Sequence, residues 1–240
     1  MIIKKQNQMI SISVIIPVYN EESTLLALLK KYTYLKDKAL FEIIIINDGS
    51  TDNTKKIIEE NKLLYNQAIH FKKNKGKGKS VIEGLKNATS DYVFFQDADL
   101  EYDPMDIIKF IDLVTQKKSD LVLGSRLSND KQSIFSFSHK IGNKLITFIF
   151  NILNKSIFSD ICCCYCLFKR KNLPIQNLKS YGWGQHIEIL TYLLSNSDKI
   201  FEVPVRYKRR KYSENKKIRY YHIFEVIFWI FITKLKIFFK

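Results

Sequence analysis

Asp97 and Asp99 are separated by one small residue at the end of the run Tyr92–Asp103, YVFFQDADLEYD. Side chains at i and i+2 of an extended segment point to the same side, so both carboxylates can face one ligand. Two like charges a few ångströms apart raise each other's pKa unless a cation sits between them. Hard oxygen donors with few nitrogen or sulfur donors nearby suit Mg²⁺ or Mn²⁺, ions that keep waters and take substrate phosphate as further ligands. The chemistry this implies is departure of a diphosphate. The alternative for the same residues is an acidic turn that caps a helix starting near Pro104.

The elements that must position this pair are legible upstream and downstream. Ser11–Pro17 (SISVIIP) and Phe41–Asn47 (FEIIIIN) are short apolar runs of the kind that form buried parallel strands. Gln67–Phe71, Tyr92–Gln96 and Asp120–Gly124 read as three more strands. Between them lie helical patterns: leucines over Ser23–Lys31, a helix capped by Asp52 through Glu60, one from the glycine loop KKNKGKGKS to Ala88, and one from Pro104 to Gln116. Strands alternating with helices predict an α/β fold with a mainly parallel, Rossmann-like central sheet and flanking helices. Ligands bind such sheets at the carboxyl ends of the strands, where Pro17–Glu21, Asn47–Ser50, Asp97–Asp99 and Ser125–Arg126 collect.

Beyond Arg126 the pattern predicts a helix over Phe135–Leu153, an extended run over Cys162–Phe168, a helix over Gly184–Ser195 carrying Glu188, and a strand over Ile200–Tyr207. Pro204 marks that strand as an edge or a bend. The boundary expected is a domain over residues 1–219 followed by a C-terminal amphipathic helix over 220–240. The apolar part of that helix, Val226–Thr233, is too short to cross a bilayer, which takes about 20 apolar residues. It suits a helix lying in a membrane surface, or one packed on its own domain or a second subunit.

The chain has 240 residues, 46% of them hydrophobic, enough for a substantial core. A formal charge of +15 points to anionic partners: phosphates, acidic lipid or nucleic acid. The cysteines at 162, 163, 164 and 166 suit neither ordinary disulfide geometry nor a CxxC zinc site, and read as reduced and mostly structural in a cytosolic setting. MIIKKQNQMI lacks the apolar core and cleavage site of a signal peptide.

In order, the motifs are PVYNEE, NDGSTDNT, GKGKS, DADLEYDP, GSR, DICCCYCLF, a helix with Glu188, EVPVRY and ENKKI. Over about residues 11–220 this resembles a family-2 glycosyltransferase of the nucleotide-sugar-binding GT-A fold, in the branch similar to dolichol-phosphate mannose synthase. The resemblance implies that Pro17, Tyr19 and Glu21 line the nucleotide pocket and that Asp48 contacts base or ribose. It implies that Asp97 contacts donor or metal, that Asp99 and Glu101 hold the metal on the diphosphate, and that Arg126 meets the acceptor or its phosphate. Asp160 and Glu188 stand where the family has acceptor-side or catalytic carboxylates, and Arg210, Lys216 and Lys217 where a basic loop closes over the phosphates. The departures fall on the acceptor side. Cys163, Cys164, Tyr165 and Cys166 stand where relatives often read Thr-Cys-Tyr-Lys, Asn215 replaces a usual glycine, and the region of His139 offers His and Lys where Arg is common.

Lys79 in the glycine loop is a candidate phosphate contact, because Gly76 and Gly78 let backbone amides approach an anion at a helix start; His139 and His186 read as bystanders. The reaction expected is metal-dependent, inverting transfer of a hexose from a UDP or GDP sugar to a polyprenyl phosphate, at the cytoplasmic face of a membrane. A saccharide acceptor in surface-polymer synthesis is the near rival, and would require Asp160 or Glu188 as general base. A nucleic-acid-binding protein is a poorer fit, because the basic residues are spread over loops beside an acidic pair; an inactive nucleotide-binding relative would not need both aspartates.

Overall fold

The computed structural model describes residues 9–127, 137–208 and 222–239. Its sheet has seven strands: β1 (Ser11–Val18), β2 (Leu40–Asn47), β3 (Gln67–His70), β4 (Tyr92–Phe95), β5 (Leu121–Ser125), β6 (Cys166–Lys169) and β7 (Ile200–Pro204), in the order β3-β2-β1-β4-β6-β5-β7. All neighbours pair in parallel except β6, which runs antiparallel to both β4 and β5. The expected mainly parallel α/β sheet is present. The expected extended run is shorter than its sequence pattern, because residues 162–165 lie outside the sheet and only Cys166–Lys169 enters it. Pro204 ends an edge strand, where its missing N–H leaves no gap in the ladder.

The apolar runs are continuous because both faces of the sheet are covered. Ile12, Val14 and Ile16 of β1 pack on one side, with Leu25 and Leu28 of α1 (Leu25–Thr33) and Phe110 of α4 (Ile107–Lys117). On the other side Ile15 of β1 and Ile44 and Ile46 of β2 meet Val81 and Leu85 of α3 (Lys77–Asn87) and Ile189 and Leu193 of α6 (Gln185–Ser195). Phe94 of β4 is fully buried, in edge contact with Phe110 and Tyr165. Truncating it to alanine should cost about 3–5 kcal/mol, through lost transfer energy and the cavity left behind. The short α2 (Thr54–Glu60) completes the β2–β3 crossover.

The remaining helices, α5 (Phe137–Asn154) and α7 (His222–Phe238), pack against one another, and α7 also packs on α6. Ile230 of α7 is fully buried and Trp229 lies directly against the backbone of Gly184. The opposite faces stay exposed and apolar: Ile141, Leu145, Phe148 and Ile152 on α5, and Phe224, Phe228, Phe231, Leu235 and Phe238 on α7. Both sets follow the alternating steps of four and three that place residues on one side of a helix. Among the described residues no helix is long and apolar enough to cross a membrane.

Candidate functional site

The turns after β1 and β2 are stitched together. Asn20 adopts a left-handed backbone, φ +54°; its amide donates to Ser50 Oγ at 3.0 Å and its Oδ1 accepts from Thr51 N at 2.8 Å. Glu21 N donates to Thr54 Oγ1 at 2.9 Å. Pro17, Tyr19 and Glu21 therefore share one edge with Asp48. The Asp48 carboxylate accepts from Lys75 N at 2.7 Å and from Gly76 N at 2.9 Å, while its burial pushes its pKa up. The residue expected to meet base or ribose thus also anchors the glycine loop. Gly76 has φ +90°, and a Cβ on Gly78 would stand 2.4 Å from the Tyr181 carbonyl oxygen, so neither position admits another side chain without strain.

That loop delivers Lys77 to the acidic pair. Lys77 Nζ lies 2.5 Å from Asp97 Oδ1 and 3.7 Å from Cys164 Sγ. Burial opposes ionisation of Asp97, but the ammonium prevails and holds the carboxyl below its usual range. Lys79, two positions further along the helix, lies over the Tyr181 ring at 4.2 Å, and Lys77 is the lysine at the carboxylates.

The expected ligand set Asp97, Asp99 and Glu101 is not gathered around one point. Among the described residues no group of three His, Cys, Asp or Glu side chains is placed to hold a metal ion. Asp97 turns to Lys77, Asp99 Oδ1 accepts from Glu101 N at 3.0 Å, and Glu101 Oε2 accepts from Tyr207 Oη at 2.7 Å. Between them Leu100 is left-handed, φ +57°, a conformation that costs a non-glycine residue about 1–2 kcal/mol and that clusters at functional turns. Donor chemistry still fits a hard cation, and Lys77 Nζ marks a cation position beside Asp97. The fit is to an ion held by one or two carboxylates with substrate phosphates completing its shell.

On the other side of the sheet's carboxyl edge, Arg126 and Asp160 form a buried pair, with side chains 9% and 0% exposed. Asp160 Oδ2 accepts from Arg126 N at 3.1 Å and Nε at 2.7 Å, and Oδ1 accepts from Nη2 at 2.8 Å. Both carboxylate oxygens are committed to the guanidinium fork. Glu188 is also committed: it is fully buried and accepts from Lys179 N at 2.9 Å and Ser180 N at 2.8 Å. It fixes the segment that carries Tyr181 over Gly78.

His186 lies inside this site, not outside it. Its Nε2 is buried with no hydrogen-bond partner. Burial, reinforced by Lys77, lowers its pKa to about 4, and the charges of Asp97, Asp160 and Arg126 also act on it. The sequence offered no periodicity that would place it there. The cysteines are unpaired, and burial pushes the Cys162 thiol up to about 12. Arg210, Lys216 and Lys217 lie outside the described residues, as does the side chain of His139.

Against known proteins, the model of Glycosyl transferase family 2 matches residues 13–174. Glycosyltransferase AglJ of Haloferax volcanii is 26% identical over 201 residues, covering 83% of this chain and 64% of AglJ. Dolichyl-phosphate beta-glucosyltransferase of Saccharomyces cerevisiae is 33% identical over 231 residues, covering 84% of this chain and 68% of that protein. The chain thus spans about two thirds of the length of these relatives. Among solved structures, glucosyl-3-phosphoglycerate synthase of Mycobacterium tuberculosis with Mn²⁺, uridine diphosphate and phosphoglyceric acid superposes with a TM-score of 0.65 at 18% identity, covering 95% of this chain and 78% of that one. At that identity the likeness shows a shared fold.

Proposed function

The chain belongs to glycosyl transferase family 2, and from that premise we propose that it moves a sugar from a nucleotide diphosphate sugar to a polyprenyl phosphate. The observation that carries the acceptor is the state of the two candidate bases. Asp160 spends both oxygens on Arg126, and Glu188 spends its carboxylate on backbone amides. A sugar hydroxyl would need one of them to take a proton. A phosphate is already an anion and needs a held cation instead, which Arg126 supplies with a guanidinium oriented by Asp160. A relative that acts on dolichyl phosphate, by its name, points the same way.

On the donor side, Pro17, Tyr19, Glu21 and Asp48 border the nucleotide, and Asp48 keeps the glycine loop in place. Asp99 and Glu101 would hold a Mg²⁺ or Mn²⁺ ion against the diphosphate, with Asp97 on the donor or on the same ion, which would supply Lewis-acid stabilisation as that group departs. The related fold crystallised with Mn²⁺ and uridine diphosphate supports this choice of ion. Lys77, now on Asp97, would turn to the same phosphates. Arg210, Lys216 and Lys217 would add positive charge around them. Attack by the acceptor from the side opposite the leaving group inverts the anomeric carbon.

The exposed stripes on α5 and α7 support a seat on a membrane surface, with Phe228 and Phe231 among the side chains entering the lipid. The charge of +15 favours an anionic, cytoplasmic leaflet.

Purified protein with Mg²⁺ or Mn²⁺, labelled UDP and GDP sugars, and either polyprenyl phosphate or saccharide acceptors tests the reading. Label should pass to the organic phase with polyprenyl phosphate. Product confined to the aqueous phase with saccharides would reject the lipid acceptor. Flotation with anionic vesicles should be lost on Phe228→Glu plus Phe231→Glu; undiminished flotation would reject the membrane seat.

A further inference from the structure

Tyr207 stands where the donor and acceptor halves meet. It follows β7 and is 9% exposed. Its hydroxyl donates to Glu101 Oε2 at 2.7 Å, a well-formed hydroxyl–oxygen bond. Its ring centroid lies 5.1 Å from that of Tyr102, and the guanidinium carbon of Arg126 lies 5.4 Å from the same ring, within cation–π range.

The backbone is fixed as firmly as the ring. Tyr207 and Tyr102 form an antiparallel bridge, and Lys208 N donates to Glu101 O at 2.7 Å. One residue earlier, Arg206 is held by Asp103 at 3.0 Å and Asp106 at 3.1 Å. Tyr102 continues the contact inward, stacked on Tyr165 at 4.6 Å, and its hydroxyl accepts from Cys164 N at 3.3 Å. A segment remote in sequence is thereby clamped to the turn that carries the acidic residues, with its ring face turned to Arg126.

We propose that Tyr207 is a positioning residue for both halves of the reaction: its hydroxyl orients Glu101 toward the divalent ion, and its ring orients Arg126 toward the acceptor phosphate. The inference rests on the roles given to Glu101 and Arg126 above. A hydrogen-bond partner behind a ligating carboxylate fixes its direction, and removing such partners typically weakens metal binding by about 10–100-fold. The ring face does not touch the ion, so the two functions separate by substitution.

Tyr207→Phe keeps the ring and removes the hydroxyl; Tyr207→Leu removes both. Free Mn²⁺ measured by electron paramagnetic resonance in the presence of UDP gives metal affinity without turnover. Tyr207→Phe should weaken Mn²⁺ binding about tenfold or more, with KM for a short polyprenyl phosphate within about twofold of the parent. Tyr207→Leu, checked for folding by circular dichroism, should raise that KM as well; if it does not fold, the phenylalanine variant decides. Mn²⁺ affinity unchanged in Tyr207→Phe while Asp99→Asn abolishes binding would overturn the inference and leave the proposed function standing. An unmodified protein that binds no Mn²⁺ with UDP would overturn both.

Discussion

Replacing Asp160 by asparagine separates a positioning role from a catalytic one. The carboxylate makes three hydrogen bonds to Arg126, whose side chain is 9% exposed. The amide of Asp160→Asn keeps the shape but leaves the guanidinium buried without its counter-charge. Breaking a buried pair from one side costs about 3–5 kcal/mol, a large part of the roughly 5–15 kcal/mol that holds a domain folded. For a chain of this size that is a fall in Tm of roughly 6–20 °C. Urea unfolding and calorimetry measure it directly. In the transferase assay the same variant should raise KM for polyprenyl phosphate, because Arg126 loses its orientation, and the pH profile of kcat should keep its shape. A variant that unfolds within about 1 kcal/mol of the parent, yet loses kcat by three orders of magnitude together with the acid limb of the profile, would show Asp160 to be a general base and refute the reasoning.

Three further outcomes are expected. Glu188→Gln should destabilise by about 1–3 kcal/mol: a carbonyl oxygen can take the place of the one that accepts from both Lys179 N and Ser180 N, but the amide nitrogen then faces Lys179 N, which lies 3.1 Å from the other carboxylate oxygen; unchanged urea stability with a kcat loss would instead make Glu188 catalytic. Lys77→Met removes a half-exposed pair worth under about 1 kcal/mol, so Tm should barely move while KM for the nucleotide sugar rises roughly tenfold, a loss of about 1.4 kcal/mol of binding; an unchanged KM argues that Lys77 never reaches the phosphates. His186 titrates near 6.5 when unfolded and at about 4 when folded, within the field of Lys77, Asp97, Asp160 and Arg126. The unfolded chain therefore takes up the proton first, and stability is lost as pH falls from 6.5 toward 4, by roughly 3 kcal/mol at most. His186→Asn should flatten that part of the stability curve, and an identical slope in the variant would exclude His186 as its source.

Strands β1, β2, β4 and β5 were legible because each is an apolar run buried in the sheet, whereas β3 is a half-buried edge strand, QAIH. Which lysine meets Asp97 was not legible. Lys75, Lys77 and Lys79 alternate with glycine in the sequence, but the helix begins at Lys77, so Lys77 and Lys79 diverge by the turn of a helix. Lys79 goes to Tyr181 and Lys77 to the carboxylate. Tyr207 was equally hidden, since its contact with Glu101 spans 106 residues and no local pattern records so distant a pairing. Glu188 illustrates the limit of motif reading: residue type and order identified it, but only burial and amide partners reveal what its carboxylate does.

Strand β6 explains why residues from separate stretches converge. In a parallel sheet, the segments that follow β1, β2, β4 and β5 all emerge at one edge, which brings Asp48, Asp97 and Arg126 there. The segment that precedes a parallel strand would emerge at the far edge. β6 is antiparallel between β4 and β5, with Leu167 opposite Phe94 and Cys166 opposite Leu123, so the residues before it arrive where the others leave. Asp160 and Cys164 reach Arg126 and Lys77 for that reason. β7 runs parallel to β5, and therefore sends Tyr207, which follows it, to the same edge. One reversed strand of four residues is what allows an acceptor side built late in the sequence to face a donor side built early.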